Sequence, residues 1–474
     1  MRTGTLLILL TLLFTLTACT PSHVTSRMEE ESESTPVPFC IPQPERIELA
    51  NKIPVYIMED HHIPLVNVVA FVRTGSIFDP EDMSGLAELT GVVLRTGGTT
   101  HASGDEIDRT LEFAGAHLEI SLGLEMGRIS LSVLSEDFNL GLSILADVLK
   151  NPAFSEEKLT IARNQKIESL RRIEDHASTI AQRVIRKLLY KGNPRELQPT
   201  IRSLKRIQRD DLIRFHTTHF QPDHIIFGVS GDITKEDVYE TLNTYFGNWK
   251  QEGETPPHIL PPRFHPDRNV NFVFKDIPQT TILLGNVVEG KKHPDFYALR
   301  VLNFVIGGGG FNTRMTKQIR TARGLAYVVG SNYRAGSDYG VLTFVCQTKP
   351  ESTGEVIGIL KDILEDVKKN GITEKELNWA KKSILNTFIF SFTTPLSVVS
   401  SFMKLEYEGL PCEYLFTYRE RIEEVSCEDI QRVAAAYLHP DGATLLVIGN
   451  DVMFQSDASP RGDGKINRIT LTLE

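Results

Sequence analysis

The chain has little of what several large protein classes need. It carries 51 Lys and Arg against 61 Asp and Glu, a formal net charge of −10. No basic excess is available to neutralise phosphates, which argues against a nucleic-acid partner. Cysteine is sparse, five in 474 residues and never as Cys-x-x-Cys, so a thiolate zinc knot is not expected. No His-Glu-x-x-His occurs. The single run of four glycines, Gly307 to Gly310, is followed by no Gly-Lys-Ser/Thr and framed by no Gly-x-Gly-x-x-Gly unit, so nucleotide binding is not expected either. The longest apolar run, Leu6 to Leu16, is shorter than the ~20 residues that a membrane-spanning helix requires.

What is present begins with that run. Arg2, the apolar stretch and the ending Leu16-Thr-Ala-Cys19 look like a bacterial lipoprotein signal. Residues 1–18 are expected to be removed and Cys19 to be acylated, which would tie the chain to a membrane. Thr20 at the following position points to the outer membrane of a bacterial envelope, with the chain facing the periplasm. Residues 19–40, rich in Ser, Pro and Glu, read as a solvated tether. In that oxidising compartment Cys40, Cys346, Cys412 and Cys427 are permitted disulfides; their pairing stays open.

The length suggests two domains. A Pro-rich break at 251–268 separates an N-terminal unit, 41–250, from a C-terminal unit, 269–455, with a tail at 456–474. The two units look like copies. Asp210-Asp-Leu, Gln221-Pro222 and Val229-Ser-Gly231-Asp recur as Glu428-Asp-Ile, His439-Pro440 and Ile448-Gly449-Asn, and a constant offset relates Pro222 to Pro440 and Gly231 to Gly449. Each unit mixes period-two strands (53–58, 66–72, 270–275, 281–285) with long helical patterns (138–149, 155–172, 352–368, 373–389) that do not alternate strictly, so the class is α+β.

The most informative segment is Ser84-Gly-Leu-Ala-Glu88-Leu-Thr-Gly91-Val92, placed after a strand and a turn. It resembles the zinc helix of the insulinase or pitrilysin family of metallopeptidases, whose bacterial members read Gly-Leu-Ala-His-x-x-Glu-His here. That pattern sets two imidazoles at i and i+4 on one helical face, with a base carboxylate at i+3. In this chain the three positions hold Glu88, Gly91 and Val92. The family's third ligand is a glutamate on a later helix; aligned through the ending Glu174-Asp175, that position falls on Ser169. A zinc ion needs three side-chain ligands and an open position for water. The expectation is therefore no metal and no catalytic residue in this chain. Isolated histidines, and the pair His216 and His219 at i and i+3, read as structural or solvated.

The resemblance also supplies a positive signal. Gly307 to Gly310, then Phe311-Asn312-Thr-Arg314 and Arg320-Thr-Ala-Arg323-Gly324-Leu-Ala-Tyr327, is similar to the Gly-rich loop, helix and Arg-Gly-Leu-Ala-Tyr turn of the family's substrate-binding half. Asn312 or Thr313 can cap that helix and Gly324 can end it. The family uses the Arg and Tyr to hold substrate backbone and stabilise a charged intermediate at an opposing zinc site, which assigns Arg320 and Tyr327 that role in trans. The resemblance implies two duplicated α+β units, each a mixed, largely antiparallel sheet with helices packed on one face. It further implies a non-catalytic subunit of a two-component peptidase: the zinc would sit in a partner subunit bearing the intact motif, and the substrate would be a peptide or unfolded polypeptide. The alternative is a lipid-anchored peptide-binding or scaffolding module without any part in proteolysis.

Overall fold

The central strands of this chain are largely apolar, and the architecture follows from that. In the computed structural model, which describes residues 39–251, 257–454 and 465–473, β1 (Glu45–Glu48), β2 (Pro54–Glu59), β3 (Leu65–Val72), β4 (His117–Leu122), β5 (Gly127–Leu134) and β6 (Ile225–Gly231) form one sheet in the order β1-β2-β6-β3-β5-β4. A second sheet takes β7 (Val270–Phe274), β8 (Thr280–Glu289), β9 (Ala326–Ala335), β10 (Tyr339–Thr348), β11 (Thr444–Gly449) and β12 (Ile466–Arg468) in the order β12-β7-β11-β8-β10-β9. Five strands of each sheet correspond in order and direction. β2 runs parallel to β6 as β7 does to β11, and every remaining pair among the five is antiparallel. The sixth strands differ: β1 lies antiparallel on β2, whereas β12 lies parallel on β7. Gly231 and Gly449 end the two corresponding strands β6 and β11.

The helices between the strands of the first sheet are α1 (Leu86–Thr96), α2 (Gly104–Phe113), α3 (Phe138–Lys150), α4 (Glu156–Arg171), α5 (Ala177–Leu189), α6 (Ile201–Arg206), α7 (Arg209–His219) and α8 (Lys235–Phe246). With the second sheet come α9 (Phe296–Asn303), α10 (Thr353–Asn370), α11 (Glu374–Phe388), α12 (Pro395–Glu408), α13 (Glu413–Glu424) and α14 (Cys427–Tyr437). Val66, Val68 and Ala70 of β3 pack with Leu89 and Val93 of α1, Leu142 of α3 and Leu242 of α8 in the first core. Leu445 and Val447 of β11 pack with Leu360 of α10 and Ile430 of α14 in the second.

The opposite face of each sheet takes one helix from the other half. α12 lies across β2, β3 and β6, where Val399 and Met403 are fully buried. α5 lies across β8 and β11, where Ile180, Ala181 and Val184 meet Val273, Val287, Leu446 and Ile448. Strands covered on both faces have no solvent side to make polar, so β3 reads Leu-Val-Asn-Val-Val-Ala-Phe-Val and β11 reads Thr-Leu-Leu-Val-Ile-Gly. β10, one strand from the edge, alternates half-buried and buried residues.

Polar contacts follow the same interlock. The Arg46 fork donates to both oxygens of Glu406 at 2.9 Å, and Tyr56 donates to the same carboxylate at 2.6 Å. In the β4–β5 turn, Glu125 accepts from Tyr339 at 2.8 Å and from the buried Arg195. By its contacts, Ile41–Glu474 is one unit, separate from Met1–Cys40. Cys19 and the segment expected to be a signal peptide lie outside the described residues, as do most of the expected tether, residues 252–256 of the linker and part of the tail.

Candidate functional site

The helix that resembles a zinc helix is held at its start by Asp79. The buried carboxylate accepts the N–H of Gly85 at 2.7 Å and of Ala87 at 2.8 Å, satisfying donors that the first turn leaves orphaned. Burial pushes this carboxyl up to about 7 against those hydrogen bonds. Leu86, Leu89, Val93 and Leu94 face the core, which leaves Glu88, Gly91 and Val92 on another side.

Each of those three positions has been given a different use. Glu88 forms an ion pair with Lys166 of α4 at 2.6 Å. Gly91 is buried against β4, where a Cβ would stand 3.0 Å from Leu122 Cγ and 3.3 Å from its backbone nitrogen. A base carboxylate at position 91 would start from that crowded point. Val92 is 38% exposed and has nothing to donate to a metal. Ser169 is exposed on α4, one turn beyond Lys166. A carboxylate already paired with an ammonium, a glycine, a valine and a serine do not fit a zinc ion. Among the described residues no group of three His, Cys, Asp or Glu side chains is placed to hold a metal. His216 bonds the Leu149 carbonyl at 2.9 Å and stacks on Phe220, and burial lowers it to about 4. His219 packs between Phe78 and Phe215.

The second half presents a different face. After α9 the chain winds as a π-helix through Phe304–Gly308, runs past Gly310, and enters a second π-helical stretch at Thr316–Thr321. Such widened turns recur at functional sites. Thr313 Oγ1 accepts the Thr316 N–H at 3.2 Å, so Thr313, rather than Asn312, caps the turn; Gly324, at φ +63°, ends it with its N–H on the Arg320 carbonyl at 3.0 Å. Arg314 points back into the body, bonded to Glu376, Asp366 and the Gly371 carbonyl. Arg323 folds onto the Gln318 carbonyl at 2.8 Å.

Arg320 is unlike both. Its guanidinium carbon lies 5.0 Å from the ring centre of Tyr327 and 5.2 Å from that of Phe311. Those rings are 76% and 74% exposed. Among the described residues no carboxylate pairs with Arg320, so the five N–H donors of a permanent cation stand beside a phenol at an open surface. Tyr327 sits at the start of β9, the edge strand of its sheet. The structure thus brings Arg320 and Tyr327 together. The sequence did not single out Phe311 as their third member, although a large aromatic directly after four glycines is a visible signal. Lys166, the partner of Glu88, carried no sequence signal beyond its place on α4.

Residues 55–199 match the model described as Insulinase (Peptidase family M16), and residues 206–384 match the Peptidase M16 inactive domain. Together they take in more than half of the chain. The chain belongs to the insulinase family. A Helicobacter pylori protein named non-peptidase homolog YmxG is 25% identical over 84% of this chain and 92% of its own. A Bacillus subtilis protein named uncharacterized zinc protease YmxG is 25% identical over 82% and 93%. Among solved structures, a peptidase M16 inactive domain from Pseudomonas fluorescens superposes with a TM-score of 0.78 at 22% identity, covering 86% of this chain and 98% of that one. At the positions that the family resemblance aligns with the two imidazoles, the base and the third ligand, this chain has Glu88, Val92, Gly91 and Ser169. By itself it is an inactive homologue.

Proposed function

We propose that this insulinase-family chain is the substrate-binding subunit of a two-component peptidase, supplying Arg320 and Tyr327 to a partner that carries zinc. One observation carries the reading. A guanidinium that has no acidic partner among the described residues is held beside an exposed phenol on the same chain whose zinc positions have been filled by an ion pair, a glycine and a valine. The other two arginines of the segment are each bonded within the chain, Arg314 to the body and Arg323 to its own loop. Arg320 and Tyr327 are left as donors toward something outside the chain: a peptide backbone, or the oxyanion that forms when its carbonyl is attacked. Acylation at Cys19 would hold the subunit on the outer membrane of a bacterial envelope, facing the periplasm, where unfolded polypeptide is a plausible substrate.

The test is reconstitution with a zinc-bearing family member from the same cell, recovered by co-purification. Hydrolysis of a quenched peptide should require both chains. Arg320→Ala or Tyr327→Phe should lower kcat by about 10²-fold for a direct oxyanion donor. Tyr327 is exposed and Arg320 half-buried, and neither belongs to the core, so stability should move by less than about 0.5 kcal/mol. Arg323→Ala, whose guanidinium turns back on its own loop, is the control. If both variants run at wild-type rate while the complex forms, the subunit reading fails and a scaffolding module without a part in proteolysis takes its place.

A further inference from the structure

Arg320 and Tyr327 leave Phe311 unexplained, as they leave the four glycines before it. Each glycine answers a local constraint. A Cβ at Gly307 would lie 2.6 Å from the Ser331 nitrogen, one at Gly308 would lie 2.5 Å from Asn303 Nδ2, and one at Gly309 would meet Trp379 Cη2 and Phe304 Cε1 at 2.5 and 2.7 Å. Gly310 stands at φ +76°, a conformation that side-chain-bearing residues resist. The hydroxyls of Thr313 and Thr316 then both donate to the Gly310 carbonyl, at 3.0 and 2.9 Å. The loop is pressed closely onto its neighbours and pinned at its last glycine, and the next side chain turns outward. That side chain is Phe311, 74% exposed.

Tyr327 is delivered from the other side just as firmly. Leu325 donates its N–H to the Ile319 carbonyl at 3.0 Å, and Thr348 Oγ1 donates to the Leu325 carbonyl at 2.6 Å, fixing the backbone two residues before the phenol. Between the two rings lies Arg320, with its guanidinium carbon 5.2 and 5.0 Å from their centres. Both distances fall within the range in which a ring face attracts a cation. A half-buried arginine without an acceptor still samples several rotamers, and a donor that must find its place during the reaction is worth less than one already held.

We infer that Phe311 is a positioning residue: the Gly-rich loop presents its ring so that, with Tyr327, it holds the Arg320 guanidinium in one plane with the N–H edges turned outward. The substrate's part in this rests on the proposed subunit reading; the clamp itself does not. It is therefore tested first in the isolated chain. With 15N-labelled arginine, and the Arg320 signal assigned by its loss in Arg320→Lys, the Nε–H order parameter should be high in the wild type. It should fall below about 0.6 in Phe311→Leu, which keeps bulk but has no ring face, and recover in Phe311→Tyr. A guanidinium as ordered in Phe311→Leu as in the wild type overturns the inference. In the reconstituted complex, Phe311→Leu should lower kcat about five- to tenfold at unchanged KM, Phe311→Tyr should restore it, and Phe311→Leu should cost nothing further on an Arg320→Ala background. Slowing by Arg320→Ala without slowing by Phe311→Leu rejects the clamp alone. If Arg320→Ala has no effect, the subunit reading falls, and the clamp is then decided by the order parameter.

Discussion

Placing a methyl group on Gly228 should loosen the body of the molecule, because that glycine is where the two halves interlock. Gly228 lies in β6 opposite Tyr56 and Val69, with α12 of the other half across it. A Cβ there would overlap Val399 Cγ1 and Met403 Sδ and lie 3.2 Å from Val69 Cγ1. The methionine is unbranched and can swing aside. Val399 is β-branched on a helix and fully buried, so its rotamer is fixed and α12 must move instead. Overpacking of this kind costs about 1–3 kcal/mol, and removing a strand glycine returns about 0.5–1 kcal/mol. Gly228→Ala should therefore lose about 1–2 kcal/mol. Gly228→Val drives two further methyls toward a helix that buries Val398, Val399, Phe402, Met403 and Leu405, each worth about 1.5–3 kcal/mol; a loss of about 3 kcal/mol or more is expected. Urea unfolding followed by fluorescence suits the question, since Trp249 packs against the first core and Trp379 against the second. Val399→Ala opens space for the new methyl, so the double variant with Gly228→Ala should be about 1 kcal/mol more stable than additivity allows. A Gly228→Ala protein as stable as the wild type, or a cycle that closes within about 0.3 kcal/mol, would refute the packing argument.

Three further outcomes are expected. Elemental analysis of the purified chain should find far less than one zinc per molecule, and no chelator-sensitive cleavage, since Glu88, Gly91, Val92 and Ser169 cannot assemble the site; stoichiometric zinc would contradict this. Cys19→Ser should leave an unprocessed precursor or release the chain from the membrane fraction, whereas normal cleavage with unchanged membrane retention would dispose of the lipid anchor. For Glu376, burial opposes ionisation, but the Arg314 fork with the Thr373 N–H and hydroxyl outweighs it and brings the carboxyl from 4.5 down to about 2. A depressed carboxyl contributes stability above its ordinary value and loses it as pH falls through the folded one. Glu376→Gln should thus cost on the order of 2 kcal/mol at pH 7, with the gap to wild type closing between about pH 4.5 and pH 2; a gap independent of pH would exclude this origin.

Local patterns carried most of the fold. The helices expected at 138–149, 155–172, 352–368 and 373–389 are α3, α4, α10 and α11 within a few residues, and Ser155 and Thr373 cap two of them. The repeated punctuation at Pro222 and Pro440, and at Gly231 and Gly449, marks strands of equal rank in two matching sheets. What local patterns could not carry is which surface a helix covers. α5 and α12 look like any amphipathic helices of their own halves, yet each packs on the other half's sheet. The indirect sign was present in β3 and β11, whose largely apolar sequences require cover on both faces. Charge pairing is equally non-local: Glu88 and Lys166 are 78 residues apart, and nothing in the spacing joins them.

The changes at α1 argue against simple decay of an enzyme. Random loss of ligands would leave a polar hollow beside a helix, and unpaired buried polar groups are costly. Here the carboxylate at 88 has acquired its own cation, and the glycine at 91 lets the helix close onto Leu122 of β4. Only Val92 is left outward and apolar, 38% exposed on a helix whose family counterpart would face a metal. That side of the molecule has become self-sufficient. The opposite holds around Arg320, where a cation that no acid pairs with among the described residues and two exposed aromatic rings persist on a loop pinned by two threonines. Groups left unsatisfied by their own chain, on backbone this firmly held, are best accounted for by a contact that another molecule completes.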